Sequence, residues 1–212
     1  MPVRINLGPL RSLVAIGRAA PVAATRRLLT SAPQKWDREY FYHVDCHGQL
    51  FLEDITHKNF TTCFKNREFL NFFYARLQPN TIQRSLDRDG KTVEYPFISP
   101  CGREMNFVTV EDSPIVFYDI DMERDQLKWG GSFESPFEPA VLYLSNQGRL
   151  YHPSPKAELY TVFQKEGELI EYPPLTLIRS SVVSRIFGES MDWENLELTW
   201  KGKVFPVKTL PW

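Results

Sequence analysis

Cysteine is scarce: Cys46, Cys63 and Cys101 are the only three in 212 residues. An odd number without paired spacing argues against a disulfide framework. Long apolar runs are missing too. No stretch of roughly 18 uncharged apolar residues occurs, which excludes a spanning helix. There is no glycine-rich phosphate loop, no Ser-His-Asp order and no kinase signature. Acids are absent before Asp37, whereas Arg4, Arg11, Arg18, Arg26 and Arg27 fall within the first 29 residues. The formal charge of −1 therefore hides a basic leader and an acidic remainder. An acidic remainder lacks the field that neutralises phosphate backbones, so nucleic acid is not an expected partner.

The leader is rich in Arg, Ala, Ser and Thr. On a helical wheel Arg11 and Arg18 lie about 20° apart, with Leu10, Leu13, Val14 and Ile16 on the opposite arc. Mitochondrial import selects such basic amphipathic helices. Residues 1–33 are read as a mitochondrial targeting segment, disordered or cleaved, with cleavage near Arg27 to Thr30. A secretory signal fits worse, because arginines bracket the apolar core and leave only "SLVAIG" between them. The matrix is the expected location, and its reducing conditions agree with unpaired cysteines.

What is present is aromatic: 14% of the chain, with charges of both signs, a soluble globular profile. In "REYFYHVDCHGQLFLED", Tyr40, Tyr42 and Val44 share one face of a strand, and Leu50 and Leu52 one face of its return. Gly48 supplies the left-handed residue of the turn between them. "LYLSNQGRLYH" repeats the pattern, aligning Gly148 with Gly48, Leu144 with Val44, Leu150 with Leu50 and Tyr151 with Phe51. Each hairpin precedes a helix candidate. "NREFLNFFYARLQP" spaces Leu70, Phe73 and Leu77 for one face before Pro79. "RSSVVSRIFG" runs from a serine cap to Gly188 as the C′ residue. Strand candidates follow each helix. The expected fold is α+β, two similar hairpin–helix–hairpin halves with antiparallel sheets and few short helices. The halves span 36–125 and 126–212, separate or merged into one unit, with "DMERDQLKWGGSFESPFEPA" as the connector.

"EYFYHVDCHGQLFLED", "NFTTCFKNREFL", "PFISPCGREMNFVTVEDSPIVF", "PFEPA" and "GRLYHP" together resemble the uncharacterised protein family 0598, small mitochondrial proteins of unknown activity. The resemblance covers about Arg38 to Pro155 and is looser beyond. A more distant similarity reaches a bacterial family, domain of unknown function 1285, through the "VED-P" segment and "LIRSSVVSRIF…LELTWKGKVFPV". It implies a two-part α+β fold with repeated motifs and a suspected role in ligand binding or signalling. Neither resemblance supplies catalytic residues.

Ser99-Pro100-Cys101-Gly102 has type I turn preferences. Cys101 then stands beside Arg103, whose guanidinium would favour the thiolate of a nucleophile or redox thiol. A nucleophile also needs a base within hydrogen-bond reach, His152 or another group. Glu111 and Asp112 are paired carboxylates suited to acid–base work or a divalent ion. Neighbours on an extended chain face opposite ways, so the structural reading puts them on the wet side of a turn, paired with Arg103 and Glu104. His43, Cys46 and His47 crowd three metal donors into five residues. No second Cys or His pair supplies a fourth, so no metal is expected and these three are the alternative. Arg103, Glu104, His152 and Arg179 are the ligand-binding candidates, with Arg103, His152 and Arg179 lining an anion pocket between the halves. Tyr151 is expected to pack like Phe51, leaving His152 at the sheet rim. Folding signals without convergent chemistry favour a non-enzymatic module that binds a small molecule or protein partner. The alternative is a thiol- or carboxylate-dependent enzyme centred on Cys101, Glu111, Asp112 and His152. No cofactor is implied.

Overall fold

Alternation forms the first strand, β1 (Arg38–Val44), burying Tyr42 and Val44 on one side. A computed structural model describes residues 36–82, 85–88, 91–163 and 173–212; the targeting segment expected at 1–33 lies outside the described residues. β1 returns as β2 (Leu50–Leu52), pairing Val44 with Leu50 and Tyr42 with Leu52. The turn is held by the Asp45 carboxylate, which accepts from the His47 and Gln49 N–H groups at 2.9 and 2.7 Å. Gly48 takes φ +74°, a value side chains rarely adopt. Asn66 caps α1 (Arg67–Ala75) through the Phe69 N–H, and the helix buries Phe73 and Tyr74. After β3 (Gln78–Pro79) a side hairpin, β4 (Ser85–Arg88) and β5 (Lys91–Glu94), precedes β6 (Phe97–Cys101) and β7 (Glu104–Val110). The first five-stranded sheet has the order β2-β1-β7-β6-β3.

β8 (Val116–Phe117) leads into a meander of β9 (Asp119–Asp121), β10 (Gln126–Trp129) and β11 (Phe133–Pro136). The second predicted hairpin is β12 (Tyr143–Leu144) and β13 (Leu150–Pro153), and its register pairs Leu144 with Leu150 as Val44 pairs with Leu50. Gly148 has φ +73° and donates to the Ser145 carbonyl at 3.0 Å, as Gly48 does to Asp45. β14 (Leu175–Ile178) runs into α2 (Ser180–Val182), which continues as a π-helical stretch, Val183–Phe187. A second meander, β15 (Met191–Asp192), β16 (Glu197–Trp200) and β17 (Lys203–Pro206), precedes β18 (Lys208–Thr209). The second five-stranded sheet has the order β18-β12-β13-β14-β8.

The fold is sheet-rich with few short helices, and four expectations are corrected. The sheets are mixed: β1–β7, β8–β14 and β12–β18 are parallel. Alternation tells which face a strand buries but not which way its partner runs, and parallel partners are reached by long crossovers. The supposed connector is the first meander, with Leu127 and Trp129 buried in β10, and the 125/126 boundary falls in the β9–β10 turn. Arg179, not a serine, is the N-cap residue of α2, and its side chain makes no cap bond. Gly188 has φ −53° rather than a left-handed value; a Cβ there would stand 2.5 Å from the Ser184 carbonyl oxygen, so its role is close approach.

The two meanders turn alike. Asp121 Oδ1 accepts from the Glu123 and Arg124 N–H groups, and Asp192 Oδ1 from those of Glu194 and Asn195. Asp125 and Leu196 close these turns at φ +51° and +55°. The main buried cluster draws on both large sheets, both meanders and α1, joining Tyr42, Phe73, Phe117, Trp129, Ile178 and Trp200. Residues 36–212 form one compact unit. Lys156 Nζ donates to the Tyr74, Ala75 and Leu77 carbonyls at 3.3, 3.3 and 2.7 Å, capping α1, which has no basic residue in its own last turn. Among the described residues no helix is long and apolar enough to cross a membrane.

Candidate functional site

The parallel register of β1 and β7 sets Arg38 opposite Glu104, Tyr40 opposite Asn106 and Tyr42 opposite Val108. Side chains two apart share a face, so Tyr40, Tyr42, Glu104 and Asn106 point the same way. Phe41 and Phe107 stack on the other side with centroids 5.5 Å apart. The shared face and α1 enclose an open cleft of about 460 Å³. α1 contributes Glu68, Phe69 and Phe72, and Cys101 enters from the end of β6. Among the described residues no Lys, Arg or His side chain lines it.

Two buried polar groups anchor the floor. Ser99 Oγ donates to the Phe73 carbonyl at 2.9 Å, tying α1 to the sheet. Asn106 Nδ2 donates to the Ser99 carbonyl at 2.7 Å. Because the Ser99 partner is a carbonyl, the Asn106 amide orientation is fixed and Oδ1 faces the opposite way. Burial pushes the Tyr42 hydroxyl up to about 12, with Tyr40, Cys101 and Glu104 adding to the effect. At the rim, Arg38 stands 3.6 Å from Glu104.

Of the residues singled out from sequence, the cleft gathers Cys101 and Glu104. Cys101 is not in a type I turn; Ser99, Pro100 and Cys101 belong to β6, and Cys101 pairs with Glu104 across a turn at Gly102-Arg103. Arg103 does not reach Glu111 or Asp112 but binds Asp37 at 2.7 Å, and Glu104 faces Arg38. Glu111 Oε2 accepts the Cys46 N–H at 3.0 Å, which holds its carboxyl below the ordinary range. Burial first, then Glu111, pushes the Cys46 thiol up. Asp112 turns the other way. It accepts from Arg149 at 2.6 Å, the Tyr151 hydroxyl at 2.9 Å and Ser113 Oγ at 2.8 Å. Glu111 is exposed at a bend, as expected, whereas Asp112 is half-buried, and both also brace the β-hairpins.

His152 is not at the rim. It is 5% exposed, its Nε2 accepts the Glu138 N–H at 3.1 Å, and its Nδ1 faces the Pro153 carbonyl. Arg179 lies elsewhere, where its own N–H bonds the Phe117 carbonyl. Of the expected anion pocket, Arg103 and His152 are thus held by other bonds, whereas Arg179 Nε is buried with no partner among the described residues. His43 Nδ1 meets Thr109 Oγ1 at 3.0 Å, and burial lowers its pKa. Among the described residues no three His, Cys, Asp or Glu side chains, His43, Cys46 and His47 included, converge to hold a metal.

A family model described as Domain of unknown function (DUF4505) matches residues 30–208. The chain belongs to the DUF4505 family. Two crystal structures of DUF1285 family proteins are also similar. The one from Silicibacter pomeroyi DSS-3 gives a TM-score of 0.42 at 14% identity, over 83% of this chain and 84% of that one. The one from Shewanella baltica OS155 gives 0.37 at 12% identity, over 71% of this chain and 92% of that one.

In this DUF4505 chain, sequence reasoning read Tyr40 and Tyr42 only as a strand face and missed them, with Glu68, Phe69, Phe72 and Asn106, as cleft residues. Asn106 had a signal: a carboxamide inside the otherwise apolar start of "MNFVTV" breaks the strand pattern. The α1 residues had none, because they read as an ordinary amphipathic helix.

Proposed function

We propose that this DUF4505 chain is a non-enzymatic binding module of the mitochondrial matrix, with the cleft under α1 as its ligand site. One observation carries the reading. The cleft presents four aromatic rings, acceptors and one thiol but no imidazole, while Glu111, Asp112 and His152 are engaged in structural bonds elsewhere. With no imidazole beside it and the Glu68 and Glu104 carboxylates as its ionisable neighbours, the Cys101 thiol is read as a packing or binding group rather than a nucleophile. The arginine-rich, acid-free leader supports the location. The paired hairpin turns and paired meander turns support a duplicated unit, with the first copy running past residue 125 to the end of the first meander at Pro136.

The test is recovery of the full chain, tagged at its C-terminus, from fractionated cells. Wild-type protein from the matrix fraction will carry a small molecule or protein partner identified by mass spectrometry, and a folded Glu104→Lys variant will lose it. Identical retention by both proteins removes the cleft as the site. Recovery outside mitochondria overturns the location alone, and Cys101-dependent conversion of the retained molecule overturns the non-enzymatic reading.

A further inference from the structure

Resting on the cleft as ligand site, we infer that it recognises a guanidinium group carried by a small molecule. The floor is the first reason. Asn106 is 5% exposed and its amide nitrogen is engaged with Ser99, while its Oδ1 has no partner among the described residues. That oxygen is not sealed from solvent, so water meets it in the free protein and a ligand's donor can take that water's place. Glu104 and Glu68 add carboxylates to the walls, and Glu68 has no ion-pair partner among the described residues. Among the described residues Arg38 and Arg76 stand at the cleft's edge but none of the lining side chains is cationic, so these acceptors call for a donor that carries positive charge.

The walls decide which cation. Tyr40, Tyr42, Phe69 and Phe72 are flat rings, and a planar guanidinium stacks on such rings while its fork of N–H groups reaches carboxylate and amide oxygens. The chain's own arginines rehearse both contacts. Arg76 lies 3.6 Å over the Phe72 ring centroid. Arg38, 70% exposed and free to go elsewhere, settles 3.6 Å from Glu104. A ligand would make the two contacts at once, in a space within the size range of small-molecule sites.

Calorimetry on the full chain with Nα-acetyl-arginine methylamide, its lysine and citrulline counterparts, and an acetylated Gly-Arg-Gly peptide tests this. The arginine probe is expected to bind at least about tenfold more tightly than the neutral citrulline probe. Glu104→Gln should erase that preference. Arg38→Ala should tighten binding, because it frees Glu104, whereas a merely structural role for Arg38 would leave affinity unchanged or weaken it. Equal binding of the arginine and citrulline probes, a preference for lysine, or weaker binding in Arg38→Ala overturns the inference. A peptide binding more than about tenfold tighter than the small probe overturns the small-molecule source. If a neutral or anionic molecule is retained from the matrix and lost in Glu104→Lys, the guanidinium fails while the cleft survives as a site. If nothing binds the cleft at all, both fall.

Discussion

His152 shows how a tempting side chain can be committed to architecture. Its ring packs beside Phe117 and Phe137, with centroids 5.9 and 5.8 Å away, and burial lowers its pKa below the ordinary 6.5. Protonation would add a buried charge and remove the acceptor for the Glu138 N–H. The sign follows from linkage: the unfolded chain takes up the proton first as pH falls through about 6.5. Stability is therefore full above that pH and declines toward the lower folded pKa. Urea denaturation at pH 7.5 and 5.5 should show a loss in the wild type that shrinks in His152→Gln, whose amide oxygen can still accept from Glu138. Equal losses in both proteins would clear His152 of the effect. At this scale the sequence revealed which residues could do chemistry but not which were already engaged. Cys101 and Glu104 were legible because they neighbour a hairpin turn. Asp112 was misjudged because its partners, Arg149 and Tyr151, lie 37 and 39 residues away.

The elements repeat this lesson with α1. Its Asn71 exchanges two hydrogen bonds with Ser132, both at 2.8 Å, and so rests on the β10–β11 turn. Gly131 permits that approach. An added Cβ would stand 2.6 Å from Asn71 Oδ1 and overlap the Arg67 carbonyl oxygen, which is backbone and cannot swing away. Gly131→Ala should cost about 1–3 kcal/mol and lower the unfolding midpoint measured by circular dichroism. A midpoint within error of wild type would show that α1 is not seated there. Both hairpins and α1 were readable, since alternation and helical spacing are local. The meander was not, because acids, glycines and prolines at its turns outweighed Leu127 and Trp129 in a strand of four residues.

For the molecule as a whole, the junction at Glu111-Asp112-Ser113 joins what the strands separate. Glu111 reaches back to the first hairpin turn, Asp112 forward to β13, and Ser113 Oγ accepts the Leu177 N–H of β14 at 3.2 Å. Asp112→Ala leaves the Arg149 guanidinium and the Tyr151 hydroxyl without their shared acceptor. Because Arg149 is about one-third exposed, the expected loss is about 1–3 kcal/mol rather than that of a fully buried pair. Chemical denaturation checks it, and Tyr151→Phe should recover only part of the same loss. A neutral Asp112→Ala would mean the sheets are held by their apolar cluster alone. The mixed sheets were out of reach of sequence patterns, because strand direction is settled by partners such as β7, about 60 residues beyond β1.

Lys156 closes a helix whose last residue, Ala75, left the ribosome 81 residues earlier. Until that lysine is translated, the carbonyls of Tyr74 and Ala75 at the end of α1, and of Leu77 just past it, lack their charged donor. The residues that line the cleft are all made by Asn106, yet the far end of the helix above it is fastened only when Lys156, just past the second hairpin, folds back onto it.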